Sequence, residues 1–136
     1  MKGIILHGAG ADPDRQDELD TLIQAEAVRK SLSALGHRVT VLPISLDLER
    51  AAAALRKAAP DFVFNLVESV EGAGRLIHLA PTLLDYLGIP YTGAGAEAMF
   101  LTSNKLLAKR VLHDRGIPTP HCYAPDELAA ASPILP

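Results

Sequence analysis

Apolar positions along this chain follow two rhythms. Short apolar runs at residues 3–6, 38–42, 62–67 and 91–92 predict strands, the third apolar enough for a buried parallel position. Between them, apolar residues recur at steps of three and four. Leu22, Ala25, Val28, Leu32 and Leu35 mark one face of a helix over 17–35, with Gly36 as its C-terminal cap. Pro43 is expected to end the second strand. Leu48, Ala52, Leu55 and Ala59 mark a short helix closed by Pro60. A third helix is expected over 76–87, with Pro81 in its first turn, Gly88 at its end and Pro90 beyond. A further helix is expected over 103–115, capped by Thr102 or Ser103 and closed by Gly116. Residues 117–120 form a stiff connector, residues 122–123 the start of another strand, and residues 125–131 a helical turn.

Four alternations of strand and helix predict an α/β fold: a mostly parallel, Rossmann-like sheet with helices on both faces. Such sheets bind ligands beyond the carboxyl ends of their strands. That edge gathers the loops at residues 7–12, 68–74 and 93–95.

Composition narrows the class. The chain has 136 residues, 49% of them apolar, which suits one domain with a real core. A net charge of -3 gives no basis for nucleic-acid binding or membrane attachment. The first apolar run is too short for a signal peptide, and none approaches membrane-spanning length. The single cysteine, Cys122, excludes an internal disulfide and fits a reducing cytoplasm.

Several residues stand where chemistry would be done. Gly93 and Gly95 permit a tight turn ahead of the helix whose first turn holds Lys105. Free backbone N–H groups and a nearby cation suit a phosphate, although a solvated Lys105 after a tight connection gives the same pattern. His7, Gly8 and Gly10 form a glycine loop after the first strand. Pro13 stands where a dinucleotide fingerprint needs its third glycine, and no G-x-S-x-G elbow exists for a serine hydrolase. Asp12, Asp14, Asp17, Glu18 and Asp20 crowd the start of the first helix. They complement its dipole, or bind a substrate ammonium, with Asp17 and Glu18 best placed. Glu68 lies just past the third strand at the ligand edge, solvated or functional. His78 is read as a packed or surface histidine. Nothing has metal-ligand spacing, and no catalytic residue is singled out.

The segments "FNLVES", "LLDYLGIPYTGAG", "TSNKLLAKRVL" and "GIPTP", in this order, resemble the N-terminal part of D-alanine–D-alanine ligases and their relatives in the ATP-grasp superfamily. The resemblance covers about residues 1–125 and is most specific over 83–120. It implies a pre-ATP-grasp α/β domain at 1–116. Residues 117–136 would be a connector and the truncated start of a central ATP-grasp subdomain. It further implies an enzyme that uses ATP and Mg²⁺ to phosphorylate a carboxylate, which an amine then attacks. Lys105 resembles the lysine that approaches the nucleotide. Asp17 falls roughly where the family has a glutamate that holds the first substrate's ammonium, and residues 7–10 fall on its Gly-Gly loop. Two departures lie on the substrate side. Glu68 stands where a histidine of an "LHG" segment is usual, and the "GEDG" before the third helix is replaced by Arg75-Leu76-Ile77-His78. The partners implied are the missing central and C-terminal domains, a small amino-acid substrate and, in a homodimer, a second copy. The fragment alone is expected to be inactive and to hold no cofactor. The competing expectation is a free-standing Rossmann-like module that binds a small anionic metabolite or nucleotide.

Overall fold

The computed structural model of the chain describes residues 1–9 and 16–123, with side chains of residues 16–18 excepted. Three parallel strands, β1 (Lys2–Gly8), β2 (Arg38–Ile44) and β3 (Phe62–Asn65), pair in the order β2-β1-β3. β1 runs in register from Lys2↔Arg38 to Gly8↔Ile44 on one side and from Gly3↔Phe62 to Leu6↔Asn65 on the other. Helix α1 (Gln16–Ala34) links β1 to β2, and α2 (Leu48–Ala58) links β2 to β3. Three more helices follow: α3 (Leu79–Leu87), α4 (Ala96–Ser103) and α5 (Lys105–Asp114).

The central strand is buried on both faces. Ile4 and Leu6 join Ile44, Leu55, Val63 and Leu84 in one core with α2 and α3. Ile5 faces the other way and is fully buried on the side where α1 packs across β1 and β2. The expected parallel sheet with helices on both faces is therefore present. Asp47 caps α2 by accepting a hydrogen bond from the Arg50 N–H at 3.0 Å. Gly36, Gly88 and Gly116 close α1, α3 and α5 in left-handed backbone, as the pattern predicted.

Several expectations are corrected. β2 does not stop at Pro43 but runs to Ile44. It is an edge strand, where a missing N–H donor is tolerated. β3 ends at Asn65, not Val67, because Asn65 Oδ1 accepts from the Val67 N–H at 3.2 Å and turns the chain. The expected fourth strand is a single bridge, Val63↔Tyr91, before Gly93 turns away in left-handed backbone. The third helix starts at Leu79, after a 3₁₀ turn at Gly74–Leu76, and holds Pro81 in its first turn. The expected apolar face of α1 is only partly covered: Ala25 is buried, while Leu22 and Leu35 are 51% and 73% exposed. Residues 122–123 form no strand. The turn expected at 125–131 lies outside the described residues.

The largest correction is α4. No helix was expected over residues 96–103, because Ala96 to Leu101 shows no polar–apolar rhythm, although Ala, Glu, Met and Leu favour helix. The cap of the next helix is Asn104, not Thr102 or Ser103. Asn104 Oδ1 accepts from the Leu107 N–H at 3.1 Å.

Tyr91 ties these elements together. Its backbone bridges Val63 at the end of the sheet, and its hydroxyl donates to Asp85 Oδ1 of α3 at 2.8 Å. Burial, and then the neighbouring Asp85 carboxylate, push the phenol above its ordinary range. A raised folded value means that the proton is held more tightly in the folded chain. This stabilisation is complete below the ordinary phenol range, near pH 10, and is lost as pH rises through the folded value. Denaturant midpoints taken from about pH 8 to about pH 11 should therefore fall more steeply for the natural chain than for Tyr91→Phe. Equal slopes would show that Tyr91 is not the group responsible.

Candidate functional site

Strand order defines where a ligand would sit. The β1–α1–β2 crossover moves outward from β1, and β2–α2–β3 returns across it. With both crossovers right-handed, α1 and α2 take opposite faces. The reversal leaves a crevice between the carboxyl ends of β1 and β3. His7, Gly8 and Ala9 enter it from β1, and Asn65 to Ser69 from β3.

The segment after β3 crosses the top of the sheet. The Leu66 N–H donates to the Leu6 carbonyl at 2.7 Å, which carries the ladder one step past β3. The Ser69 carbonyl then passes directly over Gly8: a Cβ on Gly8 would lie 2.4 Å from that oxygen. Val67 and Val70 are buried beneath the crossing. Residues 70–73 make a tight turn, with Val70 and Ala73 exchanging backbone hydrogen bonds. Its two central residues, Glu71 and Gly72, have φ of 50° and 74°. The Glu71 carboxylate accepts from the Leu46 N–H at 3.4 Å, in the connection between β2 and α2. One loop thus touches the ends of all three strands. Glu71 was not singled out from sequence. The Glu71-Gly72 pair signals a turn, but nothing local shows that its carboxylate reaches the loop after β2.

The site residues expected from sequence are only partly brought together. His7 and Gly8 stand at the carboxyl end of β1, and Glu68 stands exposed where the loop begins its crossing. His7 is 8% exposed, and its Nδ1 lies 2.8 Å from the Gly8 carbonyl oxygen. Asp17 and Glu18 fall in the first turn of α1, with their side chains outside the described residues, as is Gly10. Lys105 is the exposed first residue of α5, as expected, but α4 separates it from the Gly93–Gly95 turn. The anion cradle read from those glycines and Lys105 is therefore not one continuous turn. His78 is packed, as favoured: its ring stands edge-on to Phe100 at 5.1 Å, and its Nδ1 donates to the Arg75 carbonyl at 3.0 Å. Ala51 and Ala52 of α2 are buried in the core.

Elsewhere, a cavity of about 180 Å³ lies between α5 and the segment that follows it, lined by Lys109, His113, His121 and Cys122 among others. Among the described residues, no group of three or more His, Cys, Asp or Glu side chains could hold a metal ion. No described helix is long and apolar enough to cross a membrane.

The fold and crevice define an α/β domain that places its ligand edge under a loop from the third strand. No family model matches the chain. Its sequence is 40% identical over 125 residues to a D-alanine–D-alanine ligase of Moorella thermoacetica, a match covering 91% of this chain and 37% of that one. It is 38% identical over 101 residues to a ligase of the same name from Erythrobacter litoralis, covering 74% and 29%. The D-alanine–D-alanine ligase of Bacillus anthracis superposes with a TM-score of 0.61, and its complex with ATP with 0.64. At 18% and 19% identity these speak for the fold, over 95% of this chain and 42% and 44% of those. Over about 90% of its length the chain matches the N-terminal part of D-alanine–D-alanine ligases. It spans about a third of the length of these curated relatives.

Proposed function

We propose that the chain is the N-terminal, substrate-side domain of an ATP-dependent carboxylate–amine ligase that works through an acyl phosphate. The observation that carries this is the 40% identity over 91% of the chain to the Moorella ligase. In this reading residues 1–116 form the domain, and residues 117–136 lead into the central part of the enzyme. Asp17, Glu18 and Glu68 supply negative charge for a substrate ammonium. His7 and Gly8, at the carboxyl end of β1, and Gly10 beyond them serve the same substrate. Lys105 offers its charge to a nucleotide phosphate from the first turn of α5. Two copies associate through this domain, and the protein works in the cytoplasm. ATP supplies the phosphoryl group that activates the carboxylate. The described residues do not suit Mg²⁺, so no step through the metal falls to them.

A ligase needs groups on both sides of the reacting atoms. The 136-residue chain alone should therefore release no phosphate from ATP above a Lys105→Ala control. Substituting this chain for the matching part of the Moorella ligase should restore ATP-dependent phosphate release with D-alanine. In that chimera, loss of a charge-assisted contact should cost roughly 1.5–3 kcal/mol, one to two powers of ten. Lys105→Ala should raise the KM for ATP by about that factor and spare the amino substrate, and Glu68→Gln should do the reverse. A folded chimera without activity would overturn the ligase reading. Tight binding of a nucleotide or a small anionic metabolite, but not of D-alanine, by the isolated chain would favour a free-standing module.

A further inference from the structure

At the end of the central strand stands a buried polar side chain whose hydrogen bonding is half complete. His7 ends the central strand with only 8% of its surface exposed. Its Nδ1 lies 2.8 Å from the Gly8 carbonyl oxygen. A carbonyl can only accept, so Nδ1 carries the hydrogen and donates. In a neutral imidazole this leaves Nε2 with a bare lone pair.

Among the described residues nothing donates to Nε2. No fully enclosed side-chain nitrogen or oxygen there lacks a partner, so an unpaired Nε2 is not fully enclosed. Buried polar atoms are almost always paired, by protein, water or ligand. A histidine kept for packing alone would cover this nitrogen or satisfy it from a neighbouring backbone. Here the ring is held by one nitrogen and leaves the other unpaired, on a residue at the carboxyl end of the central strand, where α/β folds take their ligands.

We propose that His7 Nε2 accepts a hydrogen bond from an N–H group of the crevice's ligand. In the ligase reading, on which this inference rests, that group belongs to the amino group of an amino-acid substrate. The tautomer sets the selectivity. A lone pair attracts a donor and repels a carboxylate or carbonyl oxygen, so this spot reads the amine end of an amino acid and not its acid end. Asp17, Glu18 and Glu68 would supply charge for the ammonium, while His7 supplies direction.

The test uses the 136-residue chain with ¹⁵N-labelled histidine, at about pH 8, above the range in which ordinary imidazoles protonate. The His7 ring should show a protonated Nδ1 and a bare Nε2. D-Alanine should move the Nε2 resonance, and propionate, which lacks the amine, should not. His7→Asn keeps an amide donor near the Gly8 carbonyl but removes the acceptor, and should weaken D-alanine binding about tenfold. His7→Gln can present an oxygen at similar reach and should stay within about threefold of the natural chain. A protonated Nε2, an Nε2 resonance indifferent to D-alanine, equal response to propionate, or unchanged affinity in a folded His7→Asn would each overturn the proposal. If D-alanine moves the Gly8 and Glu68 amides but not Nε2, the His7 inference fails while the substrate-side reading stands. If no crevice resonance moves, both fail.

Discussion

Gly8→Ala should destabilise this chain by about 3 kcal/mol, a fall in melting temperature on the order of 10 °C for a domain of this size. One methyl group has this effect because of what it would meet. The added Cβ would lie 2.4 Å from the Ser69 carbonyl oxygen, far inside van der Waals contact. That oxygen is main chain and cannot rotate aside as a flexible side chain would. Either β1 or the crossing loop must shift, and both are pinned. Gly8 is paired to Ile44, while the loop is held by buried Val67 and Val70 below and by Glu71 on the Leu46 N–H. The loop is the weaker side, so it should lift. The ¹⁵N resonances of Glu68 to Gly72 should move more than those of β1, and the D-alanine response should weaken with them. A melting temperature within about 2 °C of the natural chain would mean that the loop does not lie on Gly8. This contact also accounts for Gly8 as a glycine without any ligand, a reading that the "HGAG" segment alone cannot separate from a binding loop.

What the sequence made legible is what local rhythm controls. β1, α1 and α2 were found within a residue or two, because strand runs and three–four spacing are properties of neighbouring residues. The crevice was legible too, since alternation fixes a parallel sheet and a parallel sheet fixes its ligand edge. The failures share a different cause. α4 has no rhythm to read, because it packs loosely and buries none of its residues. The fourth strand shrank to a bridge because the Asn65 N–H donates to Thr92 Oγ1 at 3.1 Å instead of to a backbone carbonyl. Lys105 lay in the first turn of a helix as expected, yet behind the wrong cap and one helix away from the glycine turn. The reach of Glu71 to the Leu46 N–H depends on which loops meet, and that is decided by tertiary packing.

Leu84→Ala should cost about 3 kcal/mol, whereas Leu22→Ala should stay within about 0.5 kcal/mol. Both are leucines on helices, and both sit in an apolar pattern of the kind that predicts a core. Leu84 is fully buried in α3, in the same core as Leu6, Val63, Val67 and Val70. Removing its terminal carbons leaves a void in that core that neighbours fill only in part. Leu22 is 51% exposed on α1, so truncation there removes little burial and opens no cavity. The consequence for the site follows from the shared core. Val67 and Val70 share the core of Leu84, so the loop over Gly8 should loosen before the sheet does. Amide exchange in residues 66–73 should accelerate in Leu84→Ala by more than in β1, and D-alanine should move the His7 Nε2 resonance less. Equal destabilisation by the two substitutions would show that the outer face of α1 is covered. Exchange unchanged in the loop would show that the crevice wall is held by Glu71 and Asn65 alone.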